Sequence, residues 1–355
     1  MAARIPQFYF HPRMLEYNFG PRHPLRIDRA KKALDNLLEF AKLEVIDPGV
    51  ATREEVLKLH APDYIQALDR GSSGDYLPSG FVTRYGLGTL DTPTFPGMLE
   101  AALSICGGAV AAARAVNEGA PLAFNLAGGL HHAQRSMASG FCLLNDPAVS
   151  VHTLLERYER VMYVDIDVHH GDGVEDLFLK DPRVLTYSIH QMTPGFYPGT
   201  GRAETCGAQG TALNMPLPLG TTHDVWIWAF EHSFLPAVEA FAPQAIVLQT
   251  GADSHRSDPL AGIENSIESW LQAVRIVRDT GLPLVVCGGG GYDVPTTVRM
   301  WSAAVFVLAG NEEIPPEWVH DEQEFATGGG MEQAERALKV LESLHFPHLG
   351  TTLKP

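Results

Sequence analysis

The stretch VMYVDIDVHHGDG, residues 161–173, decides the fold, because it joins an apolar run to a dense group of polar side chains. The run at 161–164 is continuously apolar, which is typical of a strand buried on both faces. The residues after it include three aspartates and two histidines. Because charged groups are costly to bury without a partner, we expect this strand to end at a binding site.

Four other apolar runs lead into polar or glycine-rich segments and predict further buried strands, at residues 121–129, 184–190, 245–253 and 282–292. Helical patterns surround them, at residues 24–41, 95–117, 147–159, 223–241, 263–279, 294–308 and 331–344. Continuous apolar strands that alternate with helices predict a parallel α/β sheet. No segment is long enough and rich enough in proline and serine to separate two domains, so we expect one domain over residues 1–355.

The ends of these strands predict one common site. In a parallel α/β sheet, ligands bind beyond the carboxyl ends of the strands. The polar segments that follow the five predicted strands lie at residues 128–133, 165–173, 190–201, 250–259 and 288–293. We therefore expect these segments to converge.

Composition limits the classes of function. The net charge of −16 argues against nucleic acid as a partner, because phosphate contacts need a basic face. The four cysteines are far apart, which favours a reduced, cytoplasmic setting over a disulfide framework or a zinc ribbon. The first residues lack the apolar core of a secretory signal, and no uninterrupted apolar run reaches the roughly 18 residues of a membrane span, so we expect no membrane partner.

Asp167, His169 and Asp253 are candidate metal ligands. Asp167 and His169 are two residues apart, so they point to the same side of an extended chain. Asp253 follows another predicted strand, in QTGAD. Two carboxylates and one imidazole leave a position for water, as in catalytic rather than structural zinc sites. A lone aspartate after a strand is more often a helix N-cap, but three such ligands on converging strand ends favour a metal.

His131 and His132, in GGLHHA, are candidates for acid–base chemistry. A loop after the glycines can turn both rings to one side. An imidazole that transfers protons is usually oriented by a carboxylate on its other nitrogen. Asp165 and Asp172 are available for this, which predicts two histidine–aspartate pairs. An isolated pair of histidines would more simply be a surface feature.

Tyr292 follows four glycines in CGGGGY. Glycines allow positive φ and close backbone approach, so they can bring the tyrosine over a ligand. A phenol that donates to a developing oxyanion complements a metal that stabilises the same charge. The glycine run is not a phosphate loop, because it lacks the Lys-Ser/Thr pair that such a loop needs.

Six blocks together resemble the zinc-dependent histone deacetylase superfamily: GGLHHA (128–133), GFCLLND (140–146), DIDVHHGDGVED (165–176), PGFYPGTG (194–201), GADSHRSDPL (251–260) and GGGGY (288–292). They most resemble class I and bacterial acetoin-utilisation-type deacetylases. The resemblance implies a single-domain arginase–deacetylase α/β fold with a central eight-stranded parallel sheet flanked by helices. The matching core covers about residues 23–310, and a C-terminal helical tail covers about residues 311–355.

The resemblance also implies roles for individual residues at the matching positions of this chain. The metal ligands are Asp167, His169 and Asp253. The catalytic positions are His131, His132, Asp165, Asp172 and Tyr292, with His132 as the general base. The substrate tunnel is lined by Asp91, Gly140, Phe141, Tyr197 and Leu260. A potassium ion is implied at the carbonyls of Asp165, Asp167 and His169 with Ser188, and a cavity for acetate release at Arg29.

The implied reaction is metal-dependent hydrolysis of an acetyl or related acyl amide of lysine. Acetylated small amines such as polyamines are the alternative substrates, and a non-catalytic binding module is a third interpretation. Zinc is the expected metal, and ferrous iron also suits the ligand set. The implied partners are acylated proteins, among them an acyl-CoA synthetase. The acyl-chain preference, the oligomeric state and the role of His170 stay open.

Overall fold

Eight parallel strands form one central sheet in the computed structural model, which describes residues 6–74, 77–311, 313–322 and 324–349. The strands are β1 (Gln7–Tyr9), β2 (Glu44–Ile46), β3 (Leu122–Asn125), β4 (Val161–Asp165), β5 (Val184–Gln191), β6 (Ala212–Leu217), β7 (Ala245–Gln249) and β8 (Leu284–Cys287). Their order across the sheet is β2-β1-β3-β8-β7-β4-β5-β6, and every neighbouring pair is parallel. The predicted single α/β domain with an eight-stranded parallel sheet is confirmed.

Helices cover both faces of the sheet. They are α1 (Asp28–Phe40), α2 (Arg53–Leu57), α3 (Pro62–Ser73), α4 (Ser79–Tyr85), α5 (Met98–Asn117), α6 (Asp146–Leu154), α7 (Asp172–Phe178), α8 (His223–Phe241), α9 (Ile267–Asp279), α10 (Val294–Leu308), α11 (Pro316–Val319) and α12 (Met331–Leu344). One contiguous series runs α3-α5-α6-α7 and another α1-α10-α9-α8-α12. Because every residue of β3, β4, β7 and β8 is buried, both faces of these strands need such a cover.

The strand order explains why the polar segments meet. Strands β3, β8, β7 and β4 are consecutive neighbours in the sheet, although β8 and β7 come late in the chain. The segments after them carry, in that order, the histidine pair, Tyr292, Asp253 and the aspartate–histidine stretch. The four segments therefore leave the same edge of the sheet side by side, as the rule for parallel sheets predicts.

The residue pattern predicted five of the eight strands. Strands β1 and β2 have three residues each, too few for a periodic pattern to be recognised. The interior of β6 contains Asn214 and Pro216, which weaken its apolar signal. Helix α6 ends five residues before the predicted end, at Leu154. Helix α9 begins later than predicted, where the Ser266 hydroxyl accepts from the Ser269 N–H and caps the helix.

Helix α5 is the one helix among the described residues that is long and apolar enough to cross a membrane. Of its most apolar 18-residue window, 78% is buried inside the protein. It packs against β1, β3 and β8 and against helix α6. This environment is that of a core helix.

The segment after α11 lies against the loop that follows β7. The Asp321 carboxylate pairs with His255 Nε2 at 3.0 Å and accepts from the Ile267 N–H at 3.0 Å. The Arg256 guanidinium donates to the Glu324 carbonyl at 3.0 Å and lies over the Phe325 ring. The C-terminal region, for which the sequence offered no interpretation beyond helix, thus braces the loop that begins at Asp253.

Candidate active site

The structure brings the three predicted metal ligands together. Asp167, His169 and Asp253 are buried, and one potential ligand atom of each lies within 4.8 Å of the others. His169 Nδ1 is 3.2 Å from Asp167 Oδ1 and 3.0 Å from Asp253 Oδ2. Asp167 and His169 follow β4 directly, and Asp253 follows the neighbouring strand β7.

The remaining carboxylate oxygens are fixed by neighbouring groups. Asp167 Oδ2 accepts from Gln249 Nε2 at 2.8 Å and from the Gly290 N–H at 2.6 Å. Asp253 Oδ1 accepts from the Val168 N–H at 2.9 Å. A Cβ atom at Gly290 would overlap the Asp253 carboxylate, so only glycine fits this approach.

Two buried indoles position the segment that carries Asp253. Trp301 Nε1 donates to the Thr250 carbonyl at 2.7 Å, and Trp270 Nε1 donates to the Gly251 carbonyl at 2.8 Å. Both rings are almost fully buried, so these bonds are shielded from water. Sequence reasoning missed both tryptophans, because their helices lie far from residue 253 along the chain.

The chemistry of the three ligands fits a divalent cation. Burial and the neighbouring Asp167 carboxylate raise the pKa of Asp253 to about 7. Burial opposes protonation of His169, but hydrogen bonds to Asp167 and Asp253 outweigh it and raise its pKa to about 10. Two buried carboxylates so close together therefore demand a positive charge between them. A divalent ion supplies it, and one imidazole with two carboxylates suits zinc or ferrous iron.

The histidine pair has the predicted carboxylate partners. His131 Nδ1 lies 2.7 Å from Asp165 Oδ2, and His132 Nδ1 lies 2.7 Å from Asp172 Oδ1. The two Nε2 atoms are 3.0 Å apart and the ring centroids 4.0 Å apart. Asp165 Oδ2 also accepts from the Tyr163 hydroxyl at 2.7 Å, and Asp165 Oδ1 accepts from the Asp167 N–H at 3.1 Å, so both oxygens of this carboxylate are hydrogen-bonded.

The two rings differ in proton affinity. Burial disfavours the protonated form of His131, but the Asp165 and Asp167 carboxylates outweigh it and raise its pKa to about 9. Burial and the adjacent His131 ring lower the pKa of His132 to about 4, although Asp172 acts in the opposite direction. The pair therefore combines a cationic ring with a neutral ring that can accept a proton.

Residues of the block GFCLLND hold the backbone of the histidine loop. Asn145 Nδ2 donates to the carbonyls of His131 and Ala133, at 3.1 and 3.0 Å. The Asp146 carboxylate accepts from the N–H groups of Gly129 and Leu130. Asn145 is the N-cap of helix α6 and Asp146 is its first residue, so these bonds join the N-terminus of the helix to the histidine loop.

A further histidine, His60, supports the same loop and was not predicted. Its ring is fully buried, with Nδ1 3.0 Å from the Gln134 carbonyl and Nε2 3.1 Å from the Asn145 N–H. The carbonyl only accepts and the N–H only donates, so the ring is neutral with its proton on Nδ1. No sequence motif surrounds His60, and only its position in the fold reveals this link.

A tunnel of about 350 Å³ leads from the surface to the metal ligands. It is lined by Asp91, His132, Gly140, Phe141, His169, Gly195, Phe196, Tyr197, Leu260 and Tyr292. All five predicted substrate positions are among them. A larger cavity of about 1010 Å³ lies at the opposite edge of the sheet, beside Gln7, Leu122 and Leu284. The lining described for that cavity contains no histidine, so the smaller tunnel is the chemically equipped one.

Aromatic rings form the walls of the tunnel, and the backbone around Phe141 is unusual. Phe141 has φ +67°, a left-handed conformation that is rare for a bulky side chain. The buried Tyr17 hydroxyl donates to the Phe141 carbonyl at 2.7 Å and accepts from the Leu143 N–H at 2.9 Å. The Tyr197 hydroxyl lies 2.5 Å from Ser139 Oγ, so the opposite wall is tied to the same loop. Tyr17 and Ser139 were not predicted.

Tyr292 enters the tunnel beside His169, with ring centroids 6.5 Å apart. Its N–H donates to Asp258 Oδ2 at 2.6 Å. The Arg29 guanidinium donates to the carbonyls of Gly289 and Gly291 and lies 5.7 Å from the Tyr292 ring centroid. Arg29 is buried on α1 and lies beside the glycine run, whereas the acetate-release cavity that the resemblance implied at Arg29 stays a prediction.

Ser188 and His170 are buried close to the candidate metal ligands. Ser188 lies opposite Asp165 in the register of β4 and β5, and its hydroxyl is 2.9 Å from His190 Nδ1. The potassium site that the resemblance implies at this position stays a prediction. His170, left without a role by the sequence, is buried and lies 2.8 Å from Thr200 Oγ1 and 3.2 Å from Glu175 Oε2.

Comparison with known proteins gives a consistent result. The family model described as "Histone deacetylase domain" matches residues 21–308. The chain is 37% identical over 329 residues to the acetoin utilization protein AcuC of Bacillus subtilis, covering 88% of this chain and 85% of that protein. It is 38% identical over 308 residues to histone deacetylase 9 of Arabidopsis thaliana, covering 84% and 72%. The crystal structure of an HDAC homolog complexed with SAHA superposes with TM-score 0.85 at 28% identity, covering 95% and 99%.

Proposed function

The chain belongs to the histone deacetylase family, and from that premise we propose that it hydrolyses N-ε-acyl-lysine in proteins. The observation that carries the proposal is the tunnel. It is walled by aromatic rings and reaches the neutral His132 and His169, the imidazole that contacts the Asp167 and Asp253 carboxylates. A lysyl arm loses its charge on acylation, so its aliphatic chain suits such a wall, and the amide would meet the polar end.

Asp167, His169 and Asp253 would hold a divalent ion, with zinc expected and ferrous iron the alternative. When bound, the ion would polarise the acyl oxygen and lower the pKa of water to roughly 7. The chain's own residues supply the proton transfers. His132, oriented through Nδ1 by Asp172, takes the proton of the attacking water on Nε2 and returns it to the leaving amine.

His131 and Tyr292 stabilise charge during the same reaction. The His131 ring, paired with Asp165, presents its Nε2 to His132 and keeps positive charge beside the reacting water. The Tyr292 hydroxyl donates a hydrogen bond to the acyl oxygen, which becomes negative as water attacks. Phe141 and Tyr197 guide the acyl-lysine arm, and the Asp91 carboxylate stands at the rim for the substrate backbone.

Several finer assignments belong to the proposal. Potassium would bind at the carbonyls of Asp165, Asp167 and His169 beside Ser188. A protein substrate such as an acyl-CoA synthetase is consistent with the AcuC relative, whose name refers to acetoin utilisation. We also propose a cytoplasmic location, because the four widely spaced cysteines favour a reduced setting.

The substrate class is tested by measuring acetate release from an acetyl-lysine peptide and from N-acetylputrescine with the zinc-loaded protein. We expect kcat/KM for the peptide to exceed that for the polyamine by at least about tenfold. The same assay with His132→Ala, which removes the base but none of the three metal ligands, should show almost no turnover of either substrate. A preference for N-acetylputrescine would overturn the assignment to lysine in proteins while leaving the deacetylase reaction intact.

A further inference from the structure

The mouth of the tunnel is surrounded by exposed apolar side chains. Among the described residues, eleven large apolar side chains are exposed, and five of them belong to loops at this mouth. These five define the mouth collar: Leu90, Met137, Tyr197, Leu219 and Leu260. Single exposed apolar residues are normal on a protein surface, whereas a group around one opening marks an interaction site.

Two members of the collar line the tunnel, and the other three belong to segments that adjoin it. Tyr197 and Leu260 line the tunnel itself, and Leu90 immediately precedes the lining residue Asp91. Leu219 lies directly over Gly262, two residues after Leu260, where a Cβ atom would overlap its side chain.

Met137 belongs to the loop that ends at the Ser139–Tyr197 hydrogen bond. Its side chain lies 3.1 Å from the Cβ position of Gly86. The Gly86 carbonyl accepts from the Thr92 hydroxyl, next to Asp91. Met137 therefore lies beside the segment that leads to Leu90 as well as in the loop of the tunnel wall.

Leu90 is the most exposed member, with 96% of its surface accessible. The turn that carries it is closed by hydrogen bonds from the Gly88 N–H to the Thr92 carbonyl at 2.9 Å and from the Thr92 N–H to the Thr89 hydroxyl at 2.9 Å. The next residue, Asp91, accepts from the Gly140 N–H at 2.8 Å. The turn is thus fixed to the tunnel wall, and it presents a leucine to solvent at a defined position.

A polypeptide whose acyl-lysine occupies the tunnel must cross this collar, because the neighbouring residues remain outside the opening. Leu90 and the rest of the collar offer such a residue apolar surface and no charge. The collar therefore suits a protein substrate with an apolar residue next to the acyl-lysine.

We propose that the mouth collar, with Leu90 as its main contact, makes the protein selective for acyl-lysine flanked by an apolar residue. This inference rests on the proposed function and names its substrate class more closely. The net charge of −16 acts in a different way, since it attracts basic peptides over a distance and is screened by salt. Selectivity from apolar contact persists at high salt.

The test compares peptides that carry acetyl-lysine with leucine, glycine, glutamate or lysine on its N-terminal or C-terminal side. At high salt, the wild-type protein should turn over the peptide with leucine on one side of the acetyl-lysine with a kcat/KM at least about fivefold higher than the peptide with glycine there. The free energy gained by burying a leucine side chain corresponds to a factor of this size or larger. Leu90→Glu should reduce this ratio to nearly one.

Leu235→Glu is the matched control. Leu235 is 48% exposed and lies in the second half of α8, which leads away from the carboxyl edge of the sheet towards the start of β7. This variant should keep the wild-type ratio. Equal kcat/KM for all peptides would overturn the role of the collar but not the proposed function. A leucine-to-glycine ratio that Leu90→Glu leaves unchanged would do the same. Absence of turnover for every acetyl-lysine peptide would overturn the proposed function and this inference with it.

Discussion

At the scale of single residues, neighbours rather than residue type decide what each histidine of the site does. His131 and His132 are adjacent in sequence and each pairs with an aspartate at 2.7 Å. His131 also faces the Asp167 carboxylate, whereas His132 faces the cationic His131. The first ring is therefore held protonated and the second neutral, a difference that suits the proposed division between electrostatic support by His131 and proton transfer by His132.

Tyr292→Phe tests the oxyanion donor. Loss of one such donor typically lowers kcat by about 10²–10³. We expect a decrease of this size for an acetyl-lysine peptide, with zinc content unchanged, because Tyr292 is not among the three ligands. Tyr197→Phe is the matched control: it removes a hydroxyl from the same tunnel, but one that is bonded to Ser139. Equal losses for the two variants would contradict the assigned role of Tyr292.

At the scale of elements, the loops of the site are fixed by partners that are distant in sequence. The residue pattern and the resemblance predicted five of the eight strands, the three candidate metal ligands and both histidine–aspartate pairs. The strands are strongly apolar runs, and the site residues follow directly after them. Tyr17, His60, Trp270 and Trp301 escaped prediction. Each acts through one hydrogen bond or two to the backbone of a remote loop, and such a contact leaves no periodic or spacing signal in the chain.

His60 makes the histidine loop sensitive to acid. Burial lowers its pKa from 6.5 to about 4, since protonation would also cost the bond that Nε2 accepts from Asn145. The unfolded chain binds this proton more readily, so the contribution of His60 to stability is present above about pH 6.5 and is lost as pH falls towards 4. Between about pH 7 and pH 5 the loss is about 2 kcal/mol.

The measurement is the free energy of unfolding at these two pH values for the wild-type protein and for His60→Gln. The wild-type protein should have the higher free energy of unfolding at pH 7, and its difference from His60→Gln should be smaller at pH 5 by about 2 kcal/mol. His232→Gln replaces an exposed histidine of α8 and should show the wild-type pH dependence. If His60→Gln and the wild type lose stability in parallel, the buried neutral ring is not the acid-sensitive group.

At the scale of the whole molecule, the three predicted metal ligands join two neighbouring strands at the centre of the sheet. Asp167 and His169 follow β4 and Asp253 follows β7, and the C-terminal segment braces the β7 loop through Asp321. An ion bound only by the folded protein stabilises it by about 2.7 kcal/mol when free metal is about 100 times its dissociation constant. Adding zinc to chelator-treated protein should therefore raise the midpoint of thermal unfolding by several degrees.

Asp253→Asn provides the comparison for this shift. The amide oxygen can still accept from the Val168 N–H, so the loop keeps its hydrogen bond while the ligand charge is lost. The variant should unfold at a midpoint that zinc hardly changes. A zinc-dependent shift of the same size in Asp253→Asn would show that the stabilising ion binds elsewhere.

We propose that this three-ligand site is the reaction centre of a deacetylase. The most direct measurement is the initial rate of acetate release from an acetyl-lysine peptide as zinc is added back to chelator-treated protein. We predict that the rate rises in proportion to zinc, reaches its plateau near one equivalent per chain, and stays at background in Asp253→Asn. Full activity in the metal-free protein, or equal reactivation of Asp253→Asn, would contradict it.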